Sequence, residues 1–528
     1  MNLYLNLNSN RFLEDLKGGY IDKTQLLAFT NSVLLSKDKY VCVSRPRRFG
    51  KSITADMLVA YYSKGSSSKE LFSKFKIAKD PSFNEHLNKY NTISLDIQYM
   101  ISKCGNVASV IEYIQTQIIE ELKEAFPNCI TDDKNLVEAI AAVYKTYHEK
   151  FIFIIDEWDA IFRLYENDFT LQANYIDLLR GLFKGAGADD SVVLAYITGI
   201  LPIKKYKTES ALNNFDEFTM LNPMELASCL GFTKSEVLKI CQEENISFNE
   251  TCRWYDGYRL KDEEIFNPKS IMMLKRTHEF FNYWSKTGAF EAVSDYIKAD
   301  FDGLKEAFVS LVNGNRLSGI DIDNFENSLA SIDCRDAVFV YLIHLGYLAY
   351  DATLKQAYIP NEEVRQALLT VLKEKKWSEY IDQIKASTTL LEKTIFEHDC
   401  NFVAKTIEKF HQELTSIIKY NNENALSIIV NNAYCATAEY YYKPVREMPL
   451  GKGFADIVYL PKTEFKDEFP ALVIELKWNK DADCAISQIK DKQYCNSLLE
   501  YTGNIVLVGI NYDQKTKVHT CSIETLEK

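Results

Sequence analysis

The chain has 528 residues, 47% hydrophobic and 26% charged, and its 61 Lys+Arg against 74 Asp+Glu leave a formal net charge of −13. That length suits about three domains, each able to bury a core, and the 13% aromatic content excludes wholesale disorder. No apolar run reaches the roughly 18 residues of a membrane helix, and the N-terminal stretch lacks the basic and apolar regions of a signal peptide. The expectation is therefore a soluble, cytoplasmic protein with no membrane partner. The acidic balance argues against a surface that coats nucleic acid generally, though not against a local phosphate site. Twelve scattered cysteines without a Cys-x-x-Cys pair read as reduced thiols, not a zinc site or a disulfide scaffold.

From about 40 to 200, apolar runs at 40–44, 92–97, 151–155 and 192–197 alternate with helical stretches, which predicts a parallel sheet covered on both faces. The stretches 235–243, 304–312 and 363–373 repeat apolar residues every three or four positions, so the middle reads as mostly helical. The C-terminal part reads as a helix at 422–434, strands at 439–445, 455–460 and 471–478, a helix at 482–499 and a strand at 504–510. The fold class expected is thus α/β multidomain, with a parallel-sheet domain in 1–220, a mostly helical domain in 221–400 and an αβββαβ domain in 401–528.

After the first strand comes Arg45-Pro46-Arg47-Arg48-Phe49-Gly50-Lys51-Ser52, running into a helix at 53–62. This is G-x-x-x-x-G-K-[ST] with Arg45 in place of the first glycine, in the strand–loop–helix setting the motif needs. Backbone N–H groups at such a helix start cradle phosphate oxygens; Lys51 would reach the β/γ-phosphates and Ser52 would ligate Mg²⁺. The apolar strand 151–155 ends in Asp156-Glu157, where Asp156 would hold Mg²⁺ and Glu157 would orient or deprotonate the attacking water. A third strand ends at Thr198-Gly199, with Thr198 placed to sense a γ-phosphate. Alone, each of these also reads as an ordinary turn; their order and spacing together point to nucleotide binding.

A second constellation is Gly453-Phe454-Ala455-Asp456, followed nineteen residues after Asp456 by Glu475-Leu476-Lys477. Alternation puts Glu475 and Lys477 on one strand face, and Asp456 enters from the neighbouring strand. Two carboxylates bind a hard cation, Mg²⁺ or Mn²⁺, through oxygen, and an ammonium beside them can orient water or stabilise charge on a phosphodiester. Glu423 on the preceding helix could add a metal ligand, and Gln488 on the following helix, with Lys492 and Tyr494 nearby, could touch phosphate or water. The bland reading is a half-exposed Glu–Lys ion pair.

With Tyr20-Ile21-Asp22-Lys23-Thr24 and Trp254-Tyr255-Asp256-Gly257-Tyr258 added, the chain resembles the bacterial AAA-ATPase-like family, whose members commonly carry a C-terminal PD-(D/E)XK nuclease-superfamily domain. The C-terminal motifs, including 488–494, are similar to that domain. The resemblance implies a P-loop ATPase core and a restriction-endonuclease-like fold. It assigns Lys51, Ser52, Asp156 and Glu157 to the nucleotide and its Mg²⁺, and the loop and strand-end reading adds Arg45, Arg47, Arg48, Phe49, Gly50 and Thr198 to the ATP site. Asp456, Glu475 and Lys477 would form the nuclease centre, with Asp456 and Glu475 on the metal; the residue reading adds Gln488 to the catalytic set and Glu423 as a further metal ligand. The resemblance further implies DNA rather than RNA as substrate and allows a homo-oligomer. The rival is a nucleotide-switched scaffold that keeps a non-cleaving nuclease fold. His344 reads as a core histidine, Trp254–Tyr258 as a packed aromatic turn, 440–442 as tyrosines packing on the sheet, and Lys204, Lys205, Lys443, Arg446 and Lys452 as solvated charge.

Overall fold

The computed structural model describes residues 2–132, 134–203, 205–206, 209–210, 212–284, 304–312, 314–322, 325, 332, 334–374, 378–414, 423–442, 444–450, 453–463, 465–491 and 502–527. The chain divides into two compact units, Met1–Lys305 with Arg316–Leu368, and Glu306–Asn315 with Leu369–Lys528.

The first unit is built on a five-stranded sheet of β1 (Tyr40–Ser44), β2 (Asn91–Asp96), β3 (Phe151–Asp156), β4 (Val192–Gly199) and β5 (Asp216–Phe218) in the order β2-β3-β4-β1-β5. All four pairings are parallel. Every residue of β3 is buried, and alternation sends Phe151, Phe153 and Ile155 into one core and Ile152 and Ile154 into another. Helix α1 (Lys51–Tyr62) lines the second core with Leu58 and Tyr61. Helices α2 (Val110–Ala125), α3 (Leu136–Tyr147) and α4 (Phe169–Phe183) line the first. Burying each such side chain contributes about 1.5–3 kcal/mol, which is why the strands need no polar alternation.

Beyond β5 helices predominate: Lys234–Glu244, Phe248–Tyr255, Pro268–Thr277, α5 (Arg335–Leu345) and Glu362–Glu374. The first is set by a capping box, the Thr233 hydroxyl accepting from the Glu236 amide while Glu236 accepts from the Thr233 amide. Two small antiparallel sheets lie among them, Phe232–Thr233 with Tyr258–Leu260 and Glu263–Phe266, and Leu317–Ser318 with Ala349–Asp351 and Gln356–Tyr358.

The second unit has a five-stranded mixed sheet of β6 (Val445–Leu450), β7 (Gly453–Tyr459), β8 (Ala471–Trp478), β9 (Asn504–Asp513) and β10 (Val518–Glu527), in sequential order. Only β8 and β9 run parallel. Ile474 and Leu476 pack with Leu426 and Ile429 of α6 (Glu423–Ala433), while Val473 packs with Ile486 of α7 (Ala482–Asp491). Two expectations are corrected. Where a strand was read at 439–445, a one-turn helix Thr437–Tyr440 precedes a strand that begins only at Val445: Tyr440 stacks on Phe469 and Tyr441 is buried, donating to Pro470 O, so the tyrosine run packs as a corner. A final strand, β10, was not expected; it pairs along β9 from Val518 to Glu527. The end of the helix read at 482–499, with Lys492 and Tyr494, lies outside the described residues.

Candidate nucleotide and phosphodiesterase sites

At the end of β1 the chain turns through Arg48 and Gly50, both at positive φ, into α1. Gly50, at φ +88, is a place where glycine is required, and a Cβ there would meet nothing within 4 Å, so the loop opens toward free space. The Lys51 ammonium donates to Pro46 O at 3.1 Å and is buried. Burial pulls its pKa down, and Glu157, Asp156 and Asp159 oppose that. Asp156, at the tip of β3, is buried; burial pushes its carboxyl up to about 6, against a hydrogen bond from Ser52 and the charge of Lys51. Ser52, Lys51 and Asp156 are therefore brought together.

Arg45 is corrected. Its guanidinium donates to Ser44 O and Phe218 O at 2.9 Å and to Leu226 O at 3.2 Å, and its backbone N–H donates to Gly199 O. Both groups point into the protein, so the residue replacing the motif's first glycine braces the sheet and does not face a phosphate. The Arg48 guanidinium donates to Tyr283 O at 2.8 Å, and Arg47 lies near the Tyr347 hydroxyl. Phe49 is buried edge-on against Tyr258, with centroids 5.3 Å apart, and its carbonyl accepts from Gly231 N. The Thr198 hydroxyl donates to Val43 O at 2.9 Å, across β4 to β1.

The Trp254–Tyr258 motif is indeed a packed turn. Gly257, at φ +106, lies so close to Pro360 that a Cβ would sit 1.9 Å from its carbonyl oxygen. The Tyr258 hydroxyl donates to Gly346 O at 2.6 Å, and Gly346 abuts Pro46 of the phosphate loop. His344 is buried, stacked near Phe325.

Two residues escaped the sequence reading. Arg163, on the one-turn helix Ala160–Leu164, donates through Nε to Asp159 Oδ2 at 3.0 Å and pairs through Nη2 with Glu157. Asp159 Oδ2 also accepts from the amides of Ile200 and Leu201. The i,i+4 spacing of Asp159 and Arg163 behind Asp156-Glu157 was the available signal.

In the second unit the β7–β8 register, Ile457 opposite Ile474, places Asp456 across from Glu475 when continued by one residue. The Asp456 carboxylate accepts from Leu476 N at 2.7 Å, and Lys477 Nζ donates to Glu475 Oε1 at 3.0 Å. Glu475 is 1% exposed and Lys477 6%, so the half-exposed ion pair is not what forms: this is a buried pair with a second carboxylate alongside. Helix α7 is seated directly over the site's strand neighbour, since a Cβ on Gly509, which pairs with Glu475, would sit 2.4 Å from Ala482 O. Glu423 begins α6 and Gln488 lies on α7, but their side chains are outside the described residues, as are those of Lys204, Lys205, Lys443 and Lys452. Arg446 donates to the Ser427 hydroxyl. Among the described residues no cluster of three or more His, Cys, Asp or Glu is placed to hold a metal ion.

A parallel sheet with a phosphate loop after its first strand and an acidic pair ending β3 defines a P-loop nucleotide-binding protein, here joined to a mixed sheet with a carboxylate–lysine site. Residues 8–208 match the family model described as predicted AAA-ATPase and residues 421–521 that of the PD-(D/E)XK nuclease superfamily. It is 24% identical over 278 residues to a protein described as an uncharacterized protein in the vnfD 5′ region of Azotobacter chroococcum mcd 1. That match covers 51% of this chain, which thus spans about half (50%) of the relative's length. Among solved structures, Cdc6p from Pyrobaculum aerophilum aligns with 67% of this chain and 93% of its own at 9% identity and a TM-score of 0.20, too low to bear on the fold. Among the described residues no helix is long and apolar enough to cross a membrane.

Proposed function

We propose that the first unit binds and hydrolyses ATP and that the second is a Mg²⁺- or Mn²⁺-dependent phosphodiesterase acting on DNA. The observation that carries the reading is a shared chemistry: in each unit two hard oxygens from adjacent elements meet beside a lysine, Ser52 and Asp156 with Lys51, and Asp456 and Glu475 with Lys477. Such oxygens fit Mg²⁺, which supplies charge neutralisation on phosphate and an acidified water when bound.

The chain's own residues then divide the work. The amides at the start of α1 and the Lys51 ammonium bind the nucleotide phosphates, and Glu157 orients and takes a proton from the water that attacks the γ-phosphate. In the second unit Lys477, held by Glu475, orients the attacking water and stabilises charge on the scissile phosphate. Phosphate contact of this kind is salt-sensitive and reads little sequence. The three-segment division and a homo-oligomeric state belong to the same proposal. The test is cleavage of linear, circular and single-stranded DNA, and of RNA, by wild type and Glu475→Ala, with Mg²⁺ or Mn²⁺ and with or without ATP. Degradation by wild type alone supports the nuclease; silence on every substrate with ATP still hydrolysed refutes it in favour of a nucleotide-switched scaffold.

A further inference from the structure

We infer that Arg163 is a positioning residue for ATP hydrolysis, fixing the Glu157 carboxylate and tying it, through Asp159, to the end of β4. This rests on the reading of Glu157 as the residue that activates water. Glu157 follows β3 at φ +50, a left-handed conformation uncommon for a residue with a side chain. Three contacts hold it there: its amide donates to Asp156 Oδ1, its carboxylate pairs with Arg163, and the Trp158 amide next to it donates to Thr198 O.

Arg163 is itself fixed. Its side chain is 7% exposed, and its Nε is spent on Asp159, whose side chain is 1% exposed and whose Oδ2 also accepts from Ile200 and Leu201 just beyond β4. A planar guanidinium with one edge anchored presents its remaining N–H groups in a set direction, and that direction is taken by Glu157. A glutamate on a strand end would otherwise sample several rotamers. A charge-assisted bond to a buried arginine selects one, and Glu157 is the leading charge acting on the buried Lys51 ammonium. Lysine in place of Arg163 keeps the charge and loses the fork, so it can satisfy Asp159 or Glu157 but not both in the same geometry.

The experiment is steady-state ATP hydrolysis and ATP-analogue binding by the full chain as wild type, Arg163→Ala, Arg163→Lys, Glu157→Gln and the double variant Glu157→Gln/Arg163→Ala. Displacement of a reacting group costs on the order of a hundredfold. Arg163→Ala is therefore expected to lower kcat roughly ten- to a hundredfold with the KM for ATP and analogue affinity within about twofold, and Arg163→Lys to recover part of it. In the Glu157→Gln background the loss of Arg163 should change kcat by less than about twofold, because a carboxylate that no longer acts gains nothing from being aimed. Wild-type kcat in Arg163→Ala, or a faster enzyme, overturns the inference. So do losses that multiply in the double variant, or a fall in analogue affinity that tracks the fall in rate, since both mark a merely structural role. If Arg163→Ala fails to fold, the same comparison is made with Arg163→Lys. A Glu157→Gln variant hydrolysing ATP at the wild-type rate instead overturns the assignment of Glu157, a result distinct from a slow Glu157→Gln beside a normal Arg163→Ala.

Discussion

Gly346→Ala tests whether the phosphate loop depends on a residue about 300 positions downstream. Gly346 sits at φ +84, and a Cβ built on it lies 2.8 Å from Pro46 Cβ and 2.9 Å from Pro46 Cγ. The left-handed backbone alone costs a non-glycine residue about 1–2 kcal/mol, and forcing a methyl against a ring adds about 1–3 kcal/mol. Pro46 cannot swing aside as a long side chain would, and the Tyr258 hydroxyl holds the Gly346 carbonyl at 2.6 Å, so the loop is the part that gives. Gly319 provides the control: it is at φ +77 with nothing within 4 Å of its Cβ, so Gly319→Ala carries the backbone cost and no collision. If the difference of about 1–3 kcal/mol falls on the binding-competent loop, ATP affinity drops by roughly five- to 150-fold in Gly346→Ala and stays put in Gly319→Ala. Fluorescent ATP-analogue titration, with urea unfolding of each variant to confirm that the chains are folded, reads this directly. Equal affinity in the two variants would refute the coupling of Gly346 to the loop.

The two units should respond to acid with opposite signs. Burial pushes the Glu363 carboxyl from 4.5 up to about 7, opposed by hydrogen bonds from Ser270 and Tyr283, so its protonated form belongs to the folded state. The first unit gains stability, by about 3 kcal/mol from this group, as pH falls from about 7 to 4.5, and Glu363→Gln removes that slope. Burial, together with His411 at 2.8 Å, pushes His519 from 6.5 down to about 4, so the second unit loses about 3 kcal/mol over the fall from pH 6.5 to 4. Calorimetric transitions that shift in the same direction would contradict this. Arg45→Gln should cost stability, about 3 kcal/mol for lost charged hydrogen bonds, while the folded fraction keeps its ATP affinity; weakened binding at unchanged stability would return Arg45 to the phosphates. Gly509→Val should lift α7 from β9 and abolish divalent-dependent DNA cleavage without touching ATP hydrolysis, and a fully active Gly509→Val would show that the helix does not shape the site.

What could be read from the sequence was whatever announces itself locally. β1 and β8 emerge at their expected bounds, β2, β3, β4 and β7 within two residues and β9 three residues longer, because continuous apolar runs have one stable use in a covered sheet. Strand ends and spacing singled out Ser52, Lys51 and Asp156, and Asp456, Glu475 and Lys477, as candidates, and the fold brings each group together. Arg45 was misread because a motif position says nothing of where a long side chain turns, and here three carbonyls compete for it. Arg163 was missed because its meaning lies in Asp159, whose own partners come from residues 200 and 201, beyond another strand. β10 was missed for a different reason. Its residues, His519, Thr520, Ser522 and Glu524 among them, are polar enough to pass for a tail until β9 offers an edge.

The seat of Pro46 against Gly346 also sets a timetable for synthesis. At roughly 5–20 residues per second, the phosphate loop leaves the ribosome some 15–60 seconds before the turn that will support it, and Tyr283 and Glu363, which stand behind Arg48, arrive over the same interval. A nascent chain therefore carries a complete nucleotide motif without the surroundings that hold it in shape. If the first unit binds ATP as proposed, binding is expected only once that unit is nearly finished, so a partial chain ending before Gly346 should bind ATP analogue more weakly than the full chain.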